Sequence, residues 1–220
     1  MLIGGLLKFT LIDYPGKVAA VVFTQGCNYR CPFCHNPELV LPELFQPAIS
    51  PDDVLAFLDK RKNQLQAVVI TGGEPTLQHD LPDFLKKIKA LGYCVKVDTN
   101  GSNPQVLRLL VEEKLVDYVA MDIKSSLENY GKASGVSPDL SAVQASVSII
   151  KASGVDHEFR TTAFKSIVSE PDMAGILALI GTNESYNLRR GSLKNKVLDF
   201  NFFADRPDYT EEEWTHIKGL

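Results

Sequence analysis

Residues 24–36 read TQGCNYRCPFCHN, and they follow directly on the apolar run 18–23, VAAVVF. That run is near-continuous and β-rich, the pattern of a strand covered on both faces. The segment after it places Cys27, Cys31 and Cys34 in a C-x3-C-x2-C spacing. Three of the chain's four cysteines therefore fall within eight residues, and His35 follows at once.

Outward from this stretch the chain alternates. Ser50 and Asp53 have capping-box spacing with Pro51 at the first helical position, so a helix is expected over 51–63. Further strands are expected at 66–71, 93–98, 117–123, 157–164 and 185–189. Helices are expected at 81–91, from 103–104 to about 115, at 141–153 and at 171–180. Gly92 and Gly154 serve as stops, and Thr210 with Glu213 caps a last short helix holding Trp214. With 17–24, six strands alternate with helices, which predicts repeated β/α units, right-handed crossovers and a parallel sheet. Periodicity leaves open whether that sheet stays flat or curls into a barrel. Residues 191–209 are the least regular, and there is no repeat, low-complexity segment or linker.

The chain has 220 residues, 45% hydrophobic and 23% charged, enough for one substantial core and an ordinary soluble composition. No apolar run approaches the roughly 20 residues that span a bilayer, and the start, MLIGGLLKFTLIDYPG, lacks a basic region and small-residue cleavage site. A cytoplasmic protein with no membrane partner is expected. The net charge of −4 gives no field that favours nucleic acid. The local basic patch of Arg189, Arg190, Lys194 and Lys196 reads as a solvated loop. In a reducing compartment, clustered cysteines point to metal binding or catalysis more than to disulfides. Cys94, alone in GYCVKVDTNG, is expected to be a small buried hydrophobe.

The polar residues converge. The cysteine loop, Gly73–Glu74–Pro75, Asp98–Thr99–Asn100, Asp122 with Lys124, and Arg160 all lie at or near the C-terminal ends of expected strands, the edge where parallel β/α folds bind ligands. Gly72 and Gly73 would let a ligand approach backbone closely, and the Glu74 carboxylate could pair with an ammonium. As a bare turn, TGGEP says little; Asp98 could begin a turn, and Asp122–Lys124 could be an ordinary ion pair. Arg160, in the apolar strand HEFRTTAF, needs an anionic partner if buried.

Three thiolates suit zinc or an iron–sulfur cluster. A closed zinc site would use Cys27, Cys31, Cys34 and His35, but adjacent ligands at 34 and 35 cannot both point inward easily. A [4Fe–4S] cube normally takes four thiolates; with three, one iron keeps an open position for a substrate or cofactor. A redox dithiol of Cys31 and Cys34 would leave Cys27 unexplained.

Cys27-x3-Cys31-x2-Cys34 with Phe33 before the last cysteine, followed by Gly72–Gly73–Glu74–Pro75, resembles the radical S-adenosylmethionine superfamily. QGCNYRCPFCHNPEL, the DTNG at Asp98 and the MDIK at Met121 resemble the activases of glycyl-radical enzymes. IDYPGKVAAVVFTQGC is most similar to the longer type of anaerobic ribonucleoside-triphosphate reductase activating protein. The likeness spans about 7–189 of a single domain, with 190–220 a less regular C-terminal segment. It implies an α/β fold, a partial (β/α)6 TIM-type barrel of parallel strands whose open side receives a loop of a partner. It implies that Cys27, Cys31 and Cys34 ligate three irons of a [4Fe–4S] cluster and that S-adenosylmethionine takes the fourth. Backbone near Gly73 and Glu74, with Gly72 and Asn100 beside it, would meet the amino group. Phe33 would border the adenine, and Arg160 would lie near the carboxylate or ribose. Asp98 and Thr99 match positions that bind a monovalent cation in some relatives, and Asp122 and Lys124 match residues facing cofactor or substrate peptide.

The implied chemistry is reductive. Flavodoxin or ferredoxin supplies an electron, the sulfonium splits to methionine and a 5′-deoxyadenosyl radical, and that radical takes hydrogen from a glycine of the partner. The last strand departs from the relatives: it reads Leu188–Arg189–Arg190–Gly191 where they carry a Leu-Gln pair and an aromatic. Two other readings stand beside this one: a radical enzyme acting on a small molecule, as 7-carboxy-7-deazaguanine synthases do, and a zinc-stabilised binding module.

Overall fold

The computed structural model describes residues 1–194 and 196–220. Its seven strands are β1 (Ile3–Thr10), β2 (Ala19–Thr24), β3 (Ala67–Gly72), β4 (Cys94–Thr99), β5 (Tyr118–Asp122), β6 (Asp156–Ala163) and β7 (Tyr186–Arg190). They form one sheet in the order β1 to β7. Between them run α1 (Pro37–Val40), α2 (Pro51–Lys60), α3 (Leu81–Ala90), α4 (Pro104–Glu112), α5 (Tyr130–Ser134), α6 (Leu140–Ala152) and α7 (Glu170–Ile180), with α8 (Glu211–Gly219) at the end. Among the described residues no helix is long and apolar enough to cross a membrane.

From β2 to β7 every neighbouring pair is parallel and consecutive in sequence. When each right-handed crossover moves one strand in the same direction, all helices fall on one face and the sheet wraps away from them. The result is a partial TIM-type barrel. On the helix side, Val68, Ile70, Val95, Val97, Val119, Met121 and Phe159 pack against Leu58, Leu85, Ile88, Leu107, Val147 and Ile176 in one continuous core. The other face holds only a small apolar plug, Tyr14 with Ala19, Val21, Ala67 and Val69. Beyond it, toward the strand ends, that face turns polar.

All six expected strands are present within a residue or two. The Thr210–Glu213 capping box is reciprocal, 3.2 Å from Glu213 N–H to Thr210 Oγ1 and 2.9 Å from Thr210 N–H to Glu213 Oε2. Two expectations need correction. The sheet has a seventh strand, β1, antiparallel to β2 at its edge, so it is not wholly parallel. With two glycines and exposed Leu7 and Phe9, β1 carries no clean alternation that a periodic reading could detect. At α2, Ser50 Oγ accepts the Asp52 N–H at 3.2 Å and forms no box with Asp53. The loop 191–209 is irregular as expected, Asn195 lying outside the described residues, and its Val197, Phe203 and Tyr209 are buried.

Candidate cofactor site

The cysteine loop leaves β2 and is pinned at several points. Gly26 N–H donates to Leu39 O at 2.8 Å, and Gly26 O accepts the Glu74 N–H at 2.8 Å. The two loop backbones approach so closely that a Cβ on Gly73 would sit 2.1 Å from Gly26 O, and Gly72 has φ +113° with Thr24 backbone against it. The glycines of TGGEP are thus required by the contact between the β2 and β3 loops. Further along, Arg30 N–H donates to Ser134 O at 2.7 Å, and its Nη1 reaches Cys27 O at 2.7 Å and Tyr29 O at 2.8 Å. The middle of the loop is held from the C-terminal segment: Asp199 N–H donates to Pro32 O at 3.0 Å, and His35 Nδ1 lies 3.1 Å from Lys196 O.

Cys27, Cys31 and Cys34 line one cavity of about 190 Å³ together with Gly72, Gly73, Glu74, Asp98, Thr99, Asn100, Asp122, Lys124 and Arg160. Residues from five strand ends therefore meet in one place. Phe33 is not on its wall: the ring is buried against Phe164, centroids 5.8 Å apart, and Phe164 in turn packs on Phe203 at 4.7 Å. His35 is exposed and also off the wall, so the zinc reading loses its fourth ligand. Among the described residues no three His, Cys, Asp or Glu side chains converge tightly enough to hold a single metal ion. The three thiols border a space suited to a larger group.

Their electrostatics follow from burial. Desolvation pushes the Cys27 thiol up to about 11, against the Tyr29 N–H that reaches its Sγ at 3.4 Å, and the more deeply buried Cys31 up to about 12. Cys34 is raised for the same reason. Such thiols stay neutral until a metal replaces the proton.

Glu74 does not offer its carboxylate to a ligand. It is buried; Oε1 accepts the Thr76 N–H at 3.1 Å and the hydroxyls of Thr76 at 2.6 Å and Thr99 at 2.8 Å, and Oε2 accepts the Asn100 N–H at 2.7 Å. The expectation that this carboxylate pairs with an ammonium is corrected: its acceptor sites serve the chain itself.

Arg160 finds the anions that its burial demands. Its Nε donates to Asp122 Oδ1 at 2.9 Å, and Nη1 lies 3.4 Å from Asp98 Oδ2. Lys124 Nζ reaches Asp122 Oδ2 at 3.1 Å. Burial alone would raise the Asp122 carboxyl, but Arg160 and Lys124 outweigh it and hold it well below the usual carboxylate range. Register makes this possible, because Asp122 on β5 pairs with Arg160 on β6 and both side chains face the concave side.

Several wall or support residues escaped the sequence reading. Tyr29, Asn36, Val40 and Thr71 line the cavity. Lys96, buried on β4, places Nζ 3.0 Å from Asp98 Oδ1 and donates to Asp13 O at 2.7 Å. Two-residue alternation on β4 puts Lys96 on the same face as Asp98, and that was the available signal. Cys94 is on that face too, at the far end of the strand beside the apolar plug and away from the cavity. Arg189 and Arg190 are also off the wall; Arg190 instead binds Glu211 at 2.6 Å and Tyr209 O at 2.5 Å, tying β7 to the C-terminal segment.

The sequence profile of the Radical SAM superfamily matches residues 21–169. A protein of Methanocaldococcus jannaschii that carries the provisional name glycyl-radical enzyme activating enzyme is 33% identical over 197 residues, covering 86% of this chain and 79% of that protein. A 7-carboxy-7-deazaguanine synthase of Halobacterium salinarum is 38% identical over 87 residues, 40% of this chain and 33% of that protein. In three dimensions the chain is similar to SuiB of Streptococcus suis, whose crystal structure is bound to S-adenosylmethionine. The TM-score is 0.67 at 17% identity over 90% of this chain, which spans 45% of the SuiB chain. The profile match over most of the chain and the 33% relative together establish that the chain belongs to the radical SAM superfamily.

Proposed function

We propose that this protein is a radical SAM activase that acts on a glycine of a partner enzyme. The carrying observation is that three thiols, with no fourth cysteine on the wall, share one cavity with the Asp98, Asp122, Lys124 and Arg160 charges. The likeness to the Methanocaldococcus protein, over most of both chains, supports the activase assignment. We assign anaerobic ribonucleoside-triphosphate reductase as the partner and flavodoxin or ferredoxin as the reductant.

The donor set fits the groups this family uses. Cys27, Cys31 and Cys34 would hold three irons of a [4Fe–4S] cluster, leaving the fourth open for S-adenosylmethionine. Bound together, these groups would supply the one-electron radical chemistry needed to remove hydrogen from glycine. The chain's own part is positioning and exclusion of water. The Gly73 backbone, packed on Gly26 O, would border the amino-acid end of the cofactor, while Arg160 and Lys124, each held by Asp122, present fixed positive charge. Charges fixed in advance cost no reorganisation when the reaction occurs. A monovalent cation beside Asp98 and Thr99 belongs to the same reading, and it competes there with the Lys96 and Arg160 cations already facing Asp98.

The test is anaerobic. Reduced protein, S-adenosylmethionine and the candidate reductase are mixed and followed by electron paramagnetic resonance; a glycyl doublet on the reductase is expected. Deoxyadenosine formed with no radical on any glycyl-radical partner would overturn the activase reading in favour of a small-molecule substrate, the reading to which the shorter synthase match points.

A further inference from the structure

Tyr29 sits between the first two cysteines of the loop and is 3% exposed. Its ring packs edge-on against Tyr130, centroids 6.5 Å apart, and Tyr29 is one of the residues that line the cofactor cavity. Among the described residues its hydroxyl is one of four buried side-chain polar atoms without a hydrogen-bond partner. Of the other three, Asp80 and Ser166 lie off this wall, and Asp98 Oδ1 has the Lys96 ammonium at 3.0 Å. A phenol buried without a partner costs about 1–3 kcal/mol, a cost that phenylalanine would avoid while filling the same space. The loop carries it nonetheless.

The surroundings indicate what the hydroxyl serves. The ionisable groups that act on the Tyr29 phenol are Lys124, Glu74, Cys31 and Cys27. Lys124 offers no acceptor, and the Glu74 oxygens already take four donors. The cysteine sulfurs remain. Cys27 Sγ receives the Tyr29 N–H at 3.4 Å and the Asn100 side-chain amide at 3.9 Å, and Cys34 receives the Asn36 N–H. Cys31, the most buried of the three, has no such donor among the described residues. A neutral thiol is a weak acceptor; a thiolate or sulfide on a cluster is a charged one that attracts a nearby O–H.

We propose that Tyr29 Oη donates a hydrogen bond to the cluster at its Cys31 corner, either to the thiolate or to the adjoining sulfide, and so sets the cluster's reduction potential. A donor to sulfur favours the more negative, reduced state and raises the potential, easing electron entry from a low-potential one-electron donor. Tyr29 is a tuning residue in this role; it neither ligates iron nor touches the glycine. The inference rests on the cluster assignment made above.

The experiment is a mediated redox titration of the reconstituted full chain, without S-adenosylmethionine, followed by electron paramagnetic resonance. Tyr29→Phe is expected to keep about four irons and sulfides per chain and to shift the midpoint to a more negative value. Site-specific replacement of Tyr29 by 3-fluorotyrosine, a stronger donor of nearly the same shape, is expected to shift it the other way. An unchanged midpoint in both overturns the proposal, as does an unchanged midpoint with weakened S-adenosylmethionine binding, which would make the cofactor the acceptor. If Tyr29→Phe fails to hold a cluster, the fluorinated variant decides alone. A wild-type chain that binds no iron would instead overturn the cluster assignment itself.

Discussion

The Oε2 atom of Glu74 accepts the backbone N–H of Asn100 at 2.7 Å, so the end of β3 is bolted to the end of β4 beneath the cofactor cavity. Three more donors, from Thr76 and Thr99, converge on the other oxygen. Glu74→Ala strands two buried N–H groups at about 1–3 kcal/mol each. We expect a loss of about 3 kcal/mol in urea unfolding. Glu74→Gln is also destabilising, because its amide turns a donor toward donors. Undiminished stability in both would refute the bolt.

The three loop cysteines and Cys94 differ by position. Cys27→Ala, Cys31→Ala or Cys34→Ala is expected to abolish activity and to strip or convert the cluster, measured as iron per chain and by electron paramagnetic resonance. Cys94→Ser, at the opposite end of β4, leaves iron content unchanged. Loss of iron there would mean a ligand outside the loop.

The titration of Asp122 carries a consequence for stability. Arg160 and Lys124 hold Asp122 below its ordinary value despite burial, so its stabilising effect is present above about pH 4 and is lost as pH falls through the folded value. Melting temperature followed against pH checks this. Asp122→Asn should lower stability at neutral pH and flatten the acid limb relative to the parent; parallel curves would contradict it.

Gly73 has no room for a side chain. An added Cβ would meet Gly26 O at 2.1 Å, and backbone cannot yield as a side-chain tip would. Gly73→Ala is expected to push the β2 and β3 loops apart and weaken S-adenosylmethionine binding by tenfold or more, about 1.4 kcal/mol, as read by titration calorimetry on reconstituted protein. Gly5→Ala, whose Cβ would meet Phe23 at an ordinary 3.5 Å, serves as the neutral control.

The β/α alternation was readable because strands buried on both faces show as apolar runs and helices carry a 3.6-residue period. β1 was not: a glycine-rich edge strand is stabilised by partners distant in sequence, and half of its apolar residues face outward. Asp98, Asp122 and Arg160 could be assigned to one rim because each lies at a strand end. That they form one charge network depends on register, which pairs Asp122 with Arg160 across β5 and β6.

By itself the amino-acid sequence determined that three thiols share one short loop at the end of a buried strand, and that parallel β/α units bring other polar residues to the same edge. Only the tertiary structure decided what each side chain does at that edge. It turned the Glu74 carboxylate inward to four donors, sent Phe33 into the core and His35 to the surface, and left the Tyr29 hydroxyl buried without a partner. The physical reason is that spacing along the chain fixes which residues are near one another. The direction of a side chain, and hence its hydrogen-bond partner, is set by the backbones that pack around it.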